Sequence, residues 1–178
     1  MIVALDKALY QGYTIQVNYE TDAYYALVQT SGADGFAFSL VKHALPSAVE
    51  KSFTISLYPD YYPDAEAYGI FDAEKLIGLI EINHEKWNNR LRVTELWVEP
   101  DHRKHGIGKQ LMDFALMKAK ACKARAIILE TELTNVKAIT FYLEQGYEFF
   151  GIDLYCYSNL DVLTKEIRLD LGMLLNDD

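Results

Sequence analysis

The chain has 178 residues and a mass of 20.4 kDa, with 51% hydrophobic and 24% charged residues, which is the composition of a globular protein with a sizeable core and excludes disordered, fibrous or collagen-like classes. With 26 Asp and Glu against 17 Lys and Arg the net charge is −9, which disfavours nucleic acid and anionic lipid as general partners. The charge is uneven. Residues 92–125 hold eight cationic and four acidic side chains, a +4 island in a chain that is otherwise −13.

Met1 to Leu5 are apolar, but Asp6 and Lys7 interrupt the run too early for a signal-peptide core, and no stretch approaches the ~20 apolar residues of a membrane span. Only Cys122 and Cys156 occur, too few for a thiol-rich metal site and consistent with a reducing compartment. Cytoplasmic location, no membrane and no metal are the resulting expectations. One domain, 1–178, accounts for the chain, with no repeat or linker.

Ile15, Val17 and Tyr19 alternate with polar neighbours, and 24–28 and 36–41 are rich in aromatic and β-branched residues separated by the turn Gly32-Ala33-Asp34-Gly35. These predict an extended, strand-rich start. The stretch 58–64, YPDYYPD, reads as a loop. Residues 76–82 and 92–98 are consecutive strands joined by the polar HEKWNNR. A helix follows from Ile107, its stripe of Ile107, Leu111, Phe114, Ala115, Lys118 and Cys122 keeping helical spacing. Then come a strand over 126–131, a helix from Asn135 to about Gln145 terminated by Gly146, and an alternating strand at 167–171. This order predicts a mixed α/β (α+β) fold, with a βαβ crossover and flanking helices.

The most informative segment is ELWVEPDHRKHGIGKQLM, 95–112, where a strand runs through a cationic, glycine-containing loop into a helix. A helix N-terminus presents unpaired N–H groups and the positive end of a dipole, glycines let a phosphate come close, and Arg103 and Lys104 add full charges. The dinucleotide fingerprint fails, because Leu111 stands where its third glycine belongs; a Walker loop fails at Arg103 and Gln110. Read alone, Gly106 and Gly108 also suit a plain turn.

Arg103-x-x-Gly106-x-Gly108 resembles the acyl-CoA signature of the GNAT superfamily of N-acyltransferases, and Asn135-x-x-Ala138-x-x-Phe141-Tyr142-x-x-x-Gly146-Tyr147 resembles its second signature, with Tyr in place of the commoner final Phe. The likeness covers about 66–170, and the run from Leu129 to Gly151 is most similar to the streptothricin acetyltransferase-like branch. It implies a mostly antiparallel central sheet with a splayed strand pair, an acyl-CoA-binding core at 66–170 and a variable, acceptor-side segment at 1–65.

It also implies an acyltransferase that moves an acetyl group from acetyl-CoA to a primary amine. The backbone of Leu96, Trp97 and Val98 and the side chain of Asn135 would bind the pantetheine arm. Arg103, Lys104, His105, Gly106, Ile107, Gly108 and Lys109 would hold the pyrophosphate. Ala138 and Phe141 would give the cofactor an apolar face, a place where Phe141 serves core packing equally well. Tyr142 would be the acid at the departing thiolate, and Glu95 the base for the amine. Glu81 and Glu130 are weaker candidates for the base and read first as ion pairs or rim charges. His84, His102 and His105 share no metal-ligand spacing.

Nine of the 13 tyrosines fall in residues 1–68 among acids such as Asp60, Asp64 and Glu66, which suits a small cationic amine, polyamine-like or aminoglycoside-like, streptothricin included; strand-face packing explains them as well. A non-catalytic acyl-CoA-binding module and a protein N-acetyltransferase are the alternatives. Homodimers are common in the family.

Overall fold

The computed structural model describes residues 1–175. In chain order the elements are β1 (Ile2–Leu5), α1 (Lys7–Tyr10), β2 (Thr14–Gly32), β3 (Gly35–Ser56), β4 (Ala65–Asp72), β5 (Lys75–Glu85), β6 (Arg90–Val98), a 3-10 turn (Pro100–His102), α2 (Ile107–Ala121), β7 (Ala126–Glu132), α3 (Val136–Glu144), β8 (Glu148–Asp153), α4 (Asp161–Thr164) and β9 (Arg168–Leu174). This is the expected mixed α/β class. No helix among the described residues is long and apolar enough to cross a membrane.

Two compact units share the chain. The first comprises Met1–Val17, Phe53–Leu129 and the chain from Gly172; the second comprises Asn18–Ser52 and Glu130–Leu171.

In the first unit the strand order is β1-β4-β5-β6-β7. The pairs β1·β4, β4·β5 and β5·β6 are antiparallel, and β6·β7 is parallel with α2 as its crossover. The β6·β7 register runs from Arg90↔Ala126 to Val93↔Leu129, and β6 continues for five residues beyond it. One face of β5 takes α2: a Cβ placed on Gly78 would lie 2.7 Å from Ile107 Cγ2 and 3.3 Å from Leu111 Cδ1, so glycine there lets the helix start sit close to the sheet. Leu111, Met112, Ala115 and Ala119 are the buried stripe of α2. Lys118 lies outside that stripe, its Nζ 2.6 Å from Glu66 and 5.2 Å from the Tyr68 ring centroid, and Cys122 is exposed. On the opposite face, Leu79 and Trp97 join Leu5, Ile15, Ile55, Leu57, Tyr58 and Ala67 in an apolar cluster.

Tyr58 ties this layer together. Its hydroxyl donates to the Leu5 carbonyl and accepts the Ala67 N–H at 3.0 Å, while its φ of 56° turns its own N–H toward the sheet.

β2 and β3 form a separate two-stranded ribbon around the Ala33-Asp34 turn. In the second unit β9 lies beside β7 with β8 on its far side. The Tyr25 N–H donates to the Leu133 carbonyl and the Leu133 N–H to the Ile167 carbonyl, both at about 3 Å, so the ribbon, the end of β7 and the start of β9 are linked by backbone. Phe38 of the ribbon packs on Phe149 of β8 at 5.5 Å.

Candidate active site

In the first unit, Gly78↔Val98 and Ile80↔Leu96 put Leu96 and Val98 on the α2 face, whereas Leu79↔Trp97 and Glu81↔Glu95 put Trp97 and Glu95 on the other. Residues 95–98 of β6 therefore alternate between the two faces. Trp97 is buried in the apolar cluster; Glu95, Leu96 and Val98 are half-buried.

Beyond Val98 the chain turns through Pro100–His102 and doubles back, with Arg103 Nε donating to the Val98 carbonyl at 3.0 Å. That bond fixes the base of the loop to the end of the strand. Lys104 and Gly106 both adopt left-handed backbone, with φ of 64° and 82°. Gly106 is the N-cap of α2 and no side chain caps the helix, so the first N–H groups of its opening turn have no side-chain acceptor. Nothing lies within 4 Å of a Cβ placed on Gly106. Lys104, His105 and Gly106 are exposed, Ile107 and Gly108 half-buried, and Lys109 pairs with Asp113 at 2.6 Å. The first unit thus gathers Leu96 to Val98 and the whole 103–109 stretch at one end of β6. Its chemistry is that of an anion site with open backbone donors.

The second unit holds the other signature. Asn135 is the N-cap of α3, its Oδ1 accepting the Ala138 N–H at 3.2 Å, so its carbonyl oxygen has a structural task. Ala138 and Phe141 are half-buried. Tyr142, 8% exposed, packs edge-on to Phe141 at 5.2 Å and lies 6.1 Å from Tyr147. Gly146, at φ 83°, terminates the helix as expected.

Two carboxylates depart from the sequence reading or extend it. Glu81 is not on a rim and has no ion pair among the described residues: it is fully buried, its Oε2 accepting the Tyr58 N–H at 2.6 Å and its Oε1 the Thr94 hydroxyl at 2.8 Å. Burial raises its pKa above the ordinary carboxylate value. Thr94 reaches it because the β5·β6 register shifts between Glu81 and Ile82, a β-bulge. Glu132 accepts from Tyr19 at 3.2 Å and Thr134 at 3.1 Å, and its pKa is likewise raised by burial. Glu130 behaves as expected, pairing with Arg168 at 3.0 Å. A lone Glu inside the apolar run LIGLIEI was the available signal for Glu81.

The tyrosines of residues 1–68 have different surroundings. Tyr58 is a buried strut, Tyr19 bonds Glu132 and Thr134, Tyr10 packs on Tyr13, and Tyr68 packs on Phe114. Tyr24 and Tyr25 do line a cavity of about 410 Å3 in the second unit, with Leu27, Tyr155, Val162 and Lys165.

Residues 36–147 match the Acetyltransferase (GNAT) family. The streptothricin acetyltransferase of Escherichia coli is 33% identical over 106 residues, 60% of either chain, so the chain spans about 60% of the length of that curated relative. A crystal structure of nourseothricin acetyltransferase is similar over 99% of this chain and 98% of its own, with a TM-score of 0.77 and 25% identity. A putative streptothricin acetyltransferase from Bacillus anthracis, crystallised with acetyl coenzyme A, matches over 99% and 97% with a TM-score of 0.76 and 23% identity, a likeness of fold.

Proposed function

Because the chain belongs to the Acetyltransferase (GNAT) family, we propose that it moves the acetyl group of acetyl-CoA to a primary amine of a small cationic acceptor by direct attack. The observation that carries this reading is the start of α2, where an uncapped helix end, left-handed Gly106 and the cationic residues Arg103 and Lys104 meet.

In this reading the N–H groups of the 103–109 stretch and its cations hold the CoA pyrophosphate. The backbone of Leu96, Trp97 and Val98, with Asn135, aligns the pantetheine arm, and Ala138 and Phe141 flank it. Fixing both reactants is itself a large part of the rate. The amine nitrogen forms the C–N bond to the acetyl carbon while the C–S bond breaks. Glu95 takes the proton that the amine gives up, and the Tyr142 phenol gives one to the departing CoA thiolate. The relatives are named for acetyl transfer to streptothricin and nourseothricin, and a small cationic amine is the acceptor proposed here.

Release of the CoA thiol, followed against a panel of cationic amines, tests the reaction, and Tyr142→Phe tests the acid. The variant is expected to lose about 10²-fold or more in kcat with acetyl-CoA affinity unchanged. Thiol release from none of the amines would leave only an acyl-CoA-binding module, and a fully active Tyr142→Phe would remove the phenol from the mechanism.

A further inference from the structure

Along one face of β5, Glu81 and Asn83 follow Leu79, and the β6 residue opposite Glu81 on that face is Glu95. This row of acceptors has three unusual properties. Glu81 is fully buried and, among the described residues, is bonded by neutral donors alone, the Tyr58 N–H and the Thr94 hydroxyl. Asn83 is 6% exposed and its Oδ1 has no hydrogen-bond partner among the described residues. Glu95, at the edge of the row, is half-buried. An orphaned buried carbonyl oxygen and a buried carboxyl with no paired cation among the described residues are each costly, and an ammonium would supply donors to both.

Two cations border the row. Lys7, from the N-terminal layer, is the cation whose field favours the ionised form of Glu81, and it lies over the Tyr58 ring at 5.7 Å from the centroid. Arg92, opposite Asn83, has its Nε on Glu85 at 2.6 Å. The geometry points to a subsite for a primary ammonium group formed by Glu81, Asn83 and Glu95. An ammonium has three N–H donors and one charge, matching two carboxyls and one amide oxygen. The subsite rests on the amine-acceptor reading above and adds to it the residues that would select the cationic end of the acceptor.

L-lysinamide, a small cationic amine, is the probe, titrated calorimetrically into the whole chain. Saturable binding is expected. Glu81→Gln, which keeps the shape and an acceptor for the Tyr58 N–H, should weaken binding by about tenfold or more, as expected for loss of a charge-assisted contact. Asn83→Leu should weaken it similarly, and Asn83→Asp, which adds charge, should tighten it. Wild-type affinity in folded Glu81→Gln and Asn83→Leu, or no binding to the wild type, overturns the subsite. Wild-type protein that binds L-lysinamide but acetylates no amine sinks the transfer reading and leaves the subsite standing. Active transfer with unaltered binding in both variants sinks the subsite alone.

Discussion

A carboxyl placed between Ile80 and Ile82 at zero exposure changes what stability depends on. The ordinary value for Glu81 is 4.5, and burial raises it in the folded chain. The folded state therefore binds this proton more tightly than the unfolded state does. Its contribution to stability is fully present below 4.5 and is lost as pH rises through the folded-state value. Glu81→Gln has nothing to titrate at that position. Subtracting the variant's unfolding free energy from that of the wild type, measured in urea from pH 4 to 8, should give a difference that shifts against the wild type as pH rises. Glu132, also raised by burial, titrates in both proteins and cancels. A difference that stays constant with pH would mean that Glu81 is solvated or paired.

At the scale of elements, the position of α2 depends on a residue outside it. Gly78 permits the contact of β5 with Ile107 and Leu111, and a methyl group there would stand 2.7 Å from Ile107 Cγ2. Gly78→Ala should therefore push the helix start outward, costing about 1–3 kcal/mol in urea unfolding and raising KM for acetyl-CoA several-fold. Equal KM in a destabilised variant would detach the 103–109 loop from cofactor binding. That loop was readable from sequence because what matters is local: glycines, cations and a helix start within a few residues. α2 and α3 were readable because a long amphipathic period survives in one dimension. The β2–β3 ribbon was readable only in fragments, since most of β3 is exposed and Pro46 and Ser47 interrupt its alternation. The four-residue helices α1 and α4 have too few turns to show a period. The row of Glu81 and Asn83 was hidden for a different reason. Its meaning lies in burial and in a register shift, and both arise only when β6 and the Tyr58 turn pack against β5.

Over the whole molecule the net charge of −9 divides unequally: the second unit has 12 acids and 5 bases, or −7, and the first the remaining −2 despite the +4 island at 92–125. The net charge and the local island act in opposite directions on a polyanionic substrate. A field set by the net charge repels acetyl-CoA, so added salt would lower its KM. A field set by the island around Arg103 and Lys104 attracts it, so added salt would raise KM. Between about 0.01 and 0.15 M ionic strength the screening length falls from ~30 to ~8 Å, which weakens the distant acids first and the neighbouring loop charges last. At and above ~0.15 M the loop dominates, and KM for acetyl-CoA is expected to rise steadily with salt from there to 0.5 M, with kcat little changed. KM for a dicationic acceptor should rise across the whole range, because it is attracted by both the −7 unit and the net charge. The comparison needs only initial rates at varied salt with each substrate in turn. A KM for acetyl-CoA that falls across the entire range would mean that the cations of the 103–109 loop do not face the pyrophosphate.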